Sequence, residues 1–171
     1  MADTSQVQGN DAAQPDAEDA PGHQYIAFEI GDREFGVDIM AVREIRGWSR
    51  ATKIPNSPRE ILGVVNLRGA IIPILDLRAC FGEELTKVEK SHVVIIVLIG
   101  KRVAGILVDA VSDILSVRHA DVQPIPEVDR RGSDAMVSEV IVIDKRLVGV
   151  LSLERLMSQS KLAAAGAAFG G

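Results

Sequence analysis

The chain repeats itself, and a repeat built from short aliphatic strands leaves few folds open. Ile30-Gly31 and Gly36-Val37 recur 69 residues later as Ile99-Gly100 and Gly105-Ile106. The register continues through Ala41/Ala110, Val42/Val111, Glu44/Asp113 and Ile45/Ile114. At an offset of 76, Leu67, Ile71, Ile72, Ile74, Leu75 and Leu77 then face Ile143, Leu147, Val148, Val150, Leu151 and Leu153. Strands this short expose edges unless the sheet closes on itself. The pattern therefore predicts a mainly β fold of two five-stranded β-barrel subdomains related by internal duplication. They span about 24–82 and 91–153, with segments from the chain ends available to complete either barrel. A C-terminal helix capped by Ser152 follows, running to about Lys161.

Turn chemistry sets the hairpins. Gly31-Asp32-Arg33, Arg68-Gly69, Gly100-Lys101-Arg102 and Asp144-Lys145-Arg146 each separate two apolar runs. Asp76 is expected to cap one helical turn over Leu77–Phe81. Residues 48–59, 83–90 and 118–132 read as connectors. The stretch GVVNLRGAIIPILDLR (63–78) holds the most informative turn, because its counterpart differs. Arg68 faces Asp144, Gly69 faces Lys145, Pro73 faces Gly149 and Arg78 faces Glu154. Apolar positions shared by both copies serve the fold, whereas the Arg68 tip belongs to the first copy alone and is the better candidate for recognition.

Charge and chemistry narrow the function. The net charge of −5 resides in Asp3, Asp11, Asp16, Glu18 and Asp19, since from His23 onward 19 basic residues meet 24 − 5 = 19 acidic ones. A balanced body carries no footprint for nucleic acid or anionic lipid. Residues 1–22 are expected to form a disordered acidic tail, 23–158 the folded domain, and 159–171 a flexible Ala/Gly tail. One cysteine excludes an internal disulfide and fits a reducing compartment. The longest apolar run, Val93–Ile99, is far shorter than the roughly 20 residues of a spanning helix. There is no phosphate loop, dinucleotide fingerprint or nucleophile elbow. His23, His92 and His119 lack ligand spacing, Cys80 reads as an inert core thiol, and Asp38, Asp76 and Asp109 read as cap or turn acids. No metal, cofactor or enzymatic activity is expected.

Three stretches carry a resemblance: FEIGDREFGVDIMAVREIRGW, TKIPNSPREILGVVNLRGAIIPILDLR and VVIIVLIGKRVAGILVDAVSDIL. Together they resemble the CheW family of bacterial chemotaxis coupling proteins, over about Gln24 to Met157. The resemblance implies SH3-like barrels and a non-catalytic adaptor. Such an adaptor couples the cytoplasmic tips of chemoreceptors (methyl-accepting chemotaxis proteins) to the regulatory domain of the histidine kinase CheA. It works in the cytoplasm at receptor arrays on the inner face of the membrane, without direct membrane contact. The family's motifs place receptor binding on Glu44 and Arg68, with Val42, Ile45 and Gly63 lining the same region. The receptor is expected in the groove between subdomains, and the kinase domain at barrel ends. Ser138-Glu139 departs from the family's Gly-apolar pair before the last hairpin. Two alternatives remain: a coupler of a related array controlling surface motility or another output, and a small ligand-binding barrel. Without the resemblance, Glu44 and Arg68 would read as a surface ion pair worth about 0–1 kcal/mol.

Overall fold

Aliphatic runs cut at short intervals by left-handed turns fold as antiparallel hairpins. The computed structural model describes residues 22–126 and 131–160. Its strands are β1 (Gln24–Ile30), β2 (Arg33–Asp38), β3 (Val42–Gly47), β4 (Ile61–Leu67), β5 (Ala70–Asp76), β6 (Val93–Ile99), β7 (Arg102–Val108), β8 (Ala110–Ser116), β9 (Val122–Pro124), β10 (Val137–Ile143) and β11 (Arg146–Leu151). Two short helices, α1 (Leu77–Cys80) and α2 (Leu153–Gln159), follow the last strand of each repeat. The tails expected at 1–22 and 159–171 lie almost wholly outside the described residues.

The strands form a six-stranded sheet, β8-β1-β2-β11-β10-β9, and a five-stranded sheet, β3-β6-β7-β5-β4. Neither sheet follows one repeat, which corrects the division at 24–82 and 91–153. The opening hairpin of each copy joins the closing hairpin of the other through a parallel pairing. Gly36 sits opposite Val150 in one sheet, and Gly105 opposite Ile74 in the other. These two pairs are equivalent under the repeat. Duplicated strands present the same partner-facing residues, so the sequence alone does not say which copy they pair with.

The exchange explains why β1, β6 and β7 are apolar on both faces. Tyr25 and Ala27 point into the six-stranded sheet's own core with Leu115, Val117, Ile141, Val148 and Val150. The alternate residues Ile26, Phe28 and Ile30 face a core between the sheets. On β6, Val94 and Ile96 fill the five-stranded sheet, while Ile95, Val97 and Ile99 reach the shared core. Full burial of each valine, leucine, isoleucine or phenylalanine among them contributes about 1.5–3 kcal/mol. Leu156 of α2 enters the shared core, and Ser152 Oγ accepts the Arg155 N–H at 3.3 Å, as a cap should. The expected extension of α2 to Lys161 passes beyond the described residues.

Asp76 does not cap α1. Its fully buried carboxylate instead accepts from Thr86 N and Thr86 Oγ1, each at 2.7 Å, which pins the connector between the repeats. Asp109 is likewise more than a turn acid. It accepts the Gly31 N–H at 2.7 Å, is ion-paired with Arg78, and lies 3.4 Å from His92 Nε2, so it ties the β1–β2 turn to the other sheet. Cys80 packs against the shared core, and burial pushes its thiol up to about 12. The connector at 118–132 contains β9, whose Pro124 sits on a sheet edge where no ladder donor is required.

Candidate functional site

The β4–β5 hairpin closes through two residues with positive φ, Arg68 at 52° and Gly69 at 86°. Positive φ at both central positions is the turn that matches strand twist. Asn66 Oδ1 accepts the Gly69 N–H at 2.9 Å and stiffens it. A non-glycine residue held there pays about 1–2 kcal/mol of backbone strain. The result is an arginine at the hairpin tip with its side chain 79% exposed. Three residues on, Ile71 is 64% exposed.

β3 is an edge strand carrying a bulge. Val42 lies opposite Val97, but Glu44 lies opposite Ile96, so one residue is extra. The bulge sorts the candidate residues onto two faces. Val42 and Ile45 share the side of Val97 and Ile95, toward the shared core, with Ile45 43% exposed at its margin. Glu44 and Arg46 take the opposite side and meet the hairpin tip: Glu44 Oε2 is 3.3 Å from Arg68 Nη1, and Glu44 Oε1 is 3.8 Å from Arg46 Nε. Glu44 and Arg68, 24 residues apart in sequence, are thus neighbours across the curled sheet.

Gly63 has a different role from the other four. It is buried at φ 150°, and a Cβ there would stand 2.5 Å from the Thr52 carbonyl oxygen. Thr52 bridges Val64 through two backbone hydrogen bonds of 2.8 and 2.9 Å, so Gly63 is what lets the connector lie against β4.

The second repeat holds an acid–arginine pair that the motif comparison missed. Asp113, equivalent to Glu44, accepts from Arg146 Nη2 at 3.1 Å and Nη1 at 3.2 Å. Arg146 also donates from Nε to Glu34 Oε2 at 3.2 Å and pairs with Glu34 Oε1 through Nη2. The Arg146 hydrogen bonds hold the Asp113 carboxyl below its usual range, and its two acids raise the Arg146 guanidinium in return. The arginine has moved from the turn tip to the first residue of β11. The signal was the acid recurring at 44 and 113. Arg146 is 37% exposed and saturated, while Arg68 makes one loose contact and remains open.

Among the described residues no cluster of His, Cys, Asp or Glu could hold a metal ion, and no helix is long and apolar enough to cross a membrane. Between β3 and β5, Arg46, Trp48, Val65, Ile74, Val94 and Ile96 leave a gap of only about 10 Å³, near the minimum for one water. The five-stranded sheet is packed inside, and its distinctive chemistry lies on its surface.

A twin-sheet β body that presents an open arginine and an exposed isoleucine at one hairpin has the features of a docking surface. The CheW-like domain family matches residues 24–161. The "Probable chemotaxis protein CheW" of Rhizobium etli is 46% identical over 83% of this chain and 92% of its own length. The "Chemotaxis protein CheW" of Klebsiella aerogenes is 37% identical over 83% of this chain and 86% of its own. The crystal structure of the scaffolding protein TtCheW from Thermoanaerobacter tengcongensis is similar with a TM-score of 0.74 and 32% identity, covering 80% of this chain and 92% of that one. The chain belongs to the CheW family and is a chemotaxis coupling adaptor.

Proposed function

We propose that this adaptor joins the cytoplasmic tip of a chemoreceptor to the regulatory domain of the histidine kinase CheA, without catalysing a reaction itself. The receptor tip docks where β3 meets the β4–β5 hairpin. Arg68 supplies the polar contact, with Glu44 at the site as its partner in the free chain, Ile45 and Val42 the apolar flank toward the groove between the sheets, and Gly63 the strand path that presents them. The observation that carries this reading is the open Arg68 pair beside the saturated Arg146 pair. The acids at 44 and 113 are repeat equivalents, but their arginines are not, and only Arg68, at the hairpin tip, leaves its guanidinium available.

A second surface supports the second partner. Val142 and Leu147 form an exposed cross-strand pair on β10–β11, and Ile114 on β8 is also exposed. This apolar end of the six-stranded sheet suits the kinase domain, which leaves the Arg68 site free so that both partners bind at once. The adaptor then works at receptor arrays on the cytoplasmic side. Co-purification tests it: the full chain is expected to retain both the kinase regulatory domain and a soluble receptor signalling fragment in one complex. Failure to retain either overturns the reading and favours a ligand-binding barrel.

A further inference from the structure

Glu44 is shared by two guanidinium groups, at 3.3 Å and 3.8 Å, so the Arg46–Glu44–Arg68 trio carries one net positive charge. Both distances exceed the usual range of a charge-assisted hydrogen bond. The neighbouring chain adds cations. From Arg43 to Arg68, six basic residues (Arg43, Arg46, Arg50, Lys53, Arg59, Arg68) stand against Glu44 and Glu60, giving 6 − 2 = +4 in a chain whose total is −5. Arg43, Arg50 and Lys53 are exposed. The Thr52–Val64 bridge holds this connector against β4. Asp113, the repeat equivalent of Glu44, belongs instead to a cluster with Glu34 and Arg146, two acids on one arginine with a net charge of −1. The acid shared by both repeats thus sits in clusters of opposite sign.

We propose that the protein surface received at the Arg68 site is acidic: it presents a carboxylate amid apolar side chains, and that carboxylate displaces Glu44 as the counter-ion of Arg68. This rests on the coupling reading and specifies the partner's chemistry. An exposed intramolecular pair contributes little, so exchanging it costs little, whereas an approaching carboxylate can take the planar guanidinium in two parallel hydrogen bonds. Arg46, Arg50 and Lys53 raise the rate of encounter. Ile71, three residues from Arg68 on β5, and Ile45, on the other side of β3 from Glu44, are exposed and give a protein interface apolar flanks around its polar contact. A polyanion such as a lipid surface would leave those isoleucines unmatched.

The test is titration of the full chain with a soluble chemoreceptor signalling fragment at about 50 mM and about 500 mM NaCl, where screening differs severalfold. The dissociation constant is expected to rise about tenfold or more with salt. Arg46→Gln and Arg50→Gln are each expected to weaken binding at low salt and flatten the salt dependence. Glu44→Gln is expected to bind at least as tightly as the parent, since it removes the internal competitor. Salt-independent binding, neutral Arg46→Gln and Arg50→Gln variants, or a Glu44→Gln loss as large as that of Arg68→Glu would each overturn the acidic partner while leaving the coupling reading intact. Sedimentation of the chain with phosphatidylglycerol vesicles, lost in Arg68→Glu, would also overturn it in favour of a membrane. A fragment that does not bind the parent at either salt concentration overturns the coupling reading and this inference with it.

Discussion

Gly63 separates a fold role from a binding role, and replacing it with alanine puts that separation to the test. The added Cβ would stand 2.5 Å from the Thr52 carbonyl oxygen and 2.8 Å from its carbonyl carbon, both backbone atoms that no side-chain rotation can move. Relieving the overlap by shifting packed structure costs about 1–3 kcal/mol. The φ of 150° adds about 1–3 kcal/mol for any residue with a Cβ. Together Gly63→Ala is expected to lose about 2–5 kcal/mol, allowing for partial relaxation, and to lower Tm by about 5–15 °C. The assay is urea unfolding followed by the single tryptophan, Trp48, which packs in the core of the same sheet. Thr52→Ala in the same background should rescue nothing, because the overlap is with the main chain. A Gly63→Ala variant within about 0.5 kcal/mol of the parent would refute this reasoning and return Gly63 to the list of surface determinants.

Other outcomes follow from the same structure. Gly36 and Gly105 are repeat equivalents, yet a Cβ would meet atoms at 3.4 Å at Gly36 and at 2.5 Å and 2.8 Å at Gly105. Gly105→Ala is therefore expected to cost about 1–3 kcal/mol and Gly36→Ala distinctly less, by thermal denaturation of the two single variants. Thr86→Val removes one of two donors to the buried Asp76 carboxylate and is expected to cost about 1.5–3 kcal/mol in denaturant unfolding. The Cys80 thiol, raised to about 12 by burial, should resist alkylation at pH 8 in the folded chain and react only on unfolding. Because its folded pKa exceeds the unfolded one, its contribution to stability is complete at neutral pH. It is lost as pH rises from the unfolded value toward about 12, and Cys80→Ala should lack that alkaline component.

The hairpins were legible because their signals are local. Two apolar runs around Arg68-Gly69 or Asp144-Lys145 specify a two-residue turn, and the positive φ values at all four residues follow. The family was legible in the NLRG and VREIRG stretches. Strand exchange between repeats was not, because Gly36 and Gly105 carry the same partner-facing chemistry and only the long crossovers decide which copy each meets. The β3 bulge was also hidden: period-two alternation would put Val42 with Glu44, whereas one unpaired residue put Val42 with Ile45. Asp76 looked like a cap since its sequence position suits one, but Thr86, ten residues on, offers two donors in a buried place. The Arg146 pair was missed because its arginine sits two residues from the position that the offset aligns with Arg68.

Coupling through Arg68 is tested most directly by receptor-dependent kinase activity in an array reconstituted from receptor fragment, kinase and this chain. Arg68→Glu is expected to abolish receptor-dependent activation, while Lys101→Glu at the exposed β6–β7 turn, outside both proposed docking surfaces, should keep it. Activation that survives Arg68→Glu unchanged would contradict the assignment of this hairpin as the coupling site.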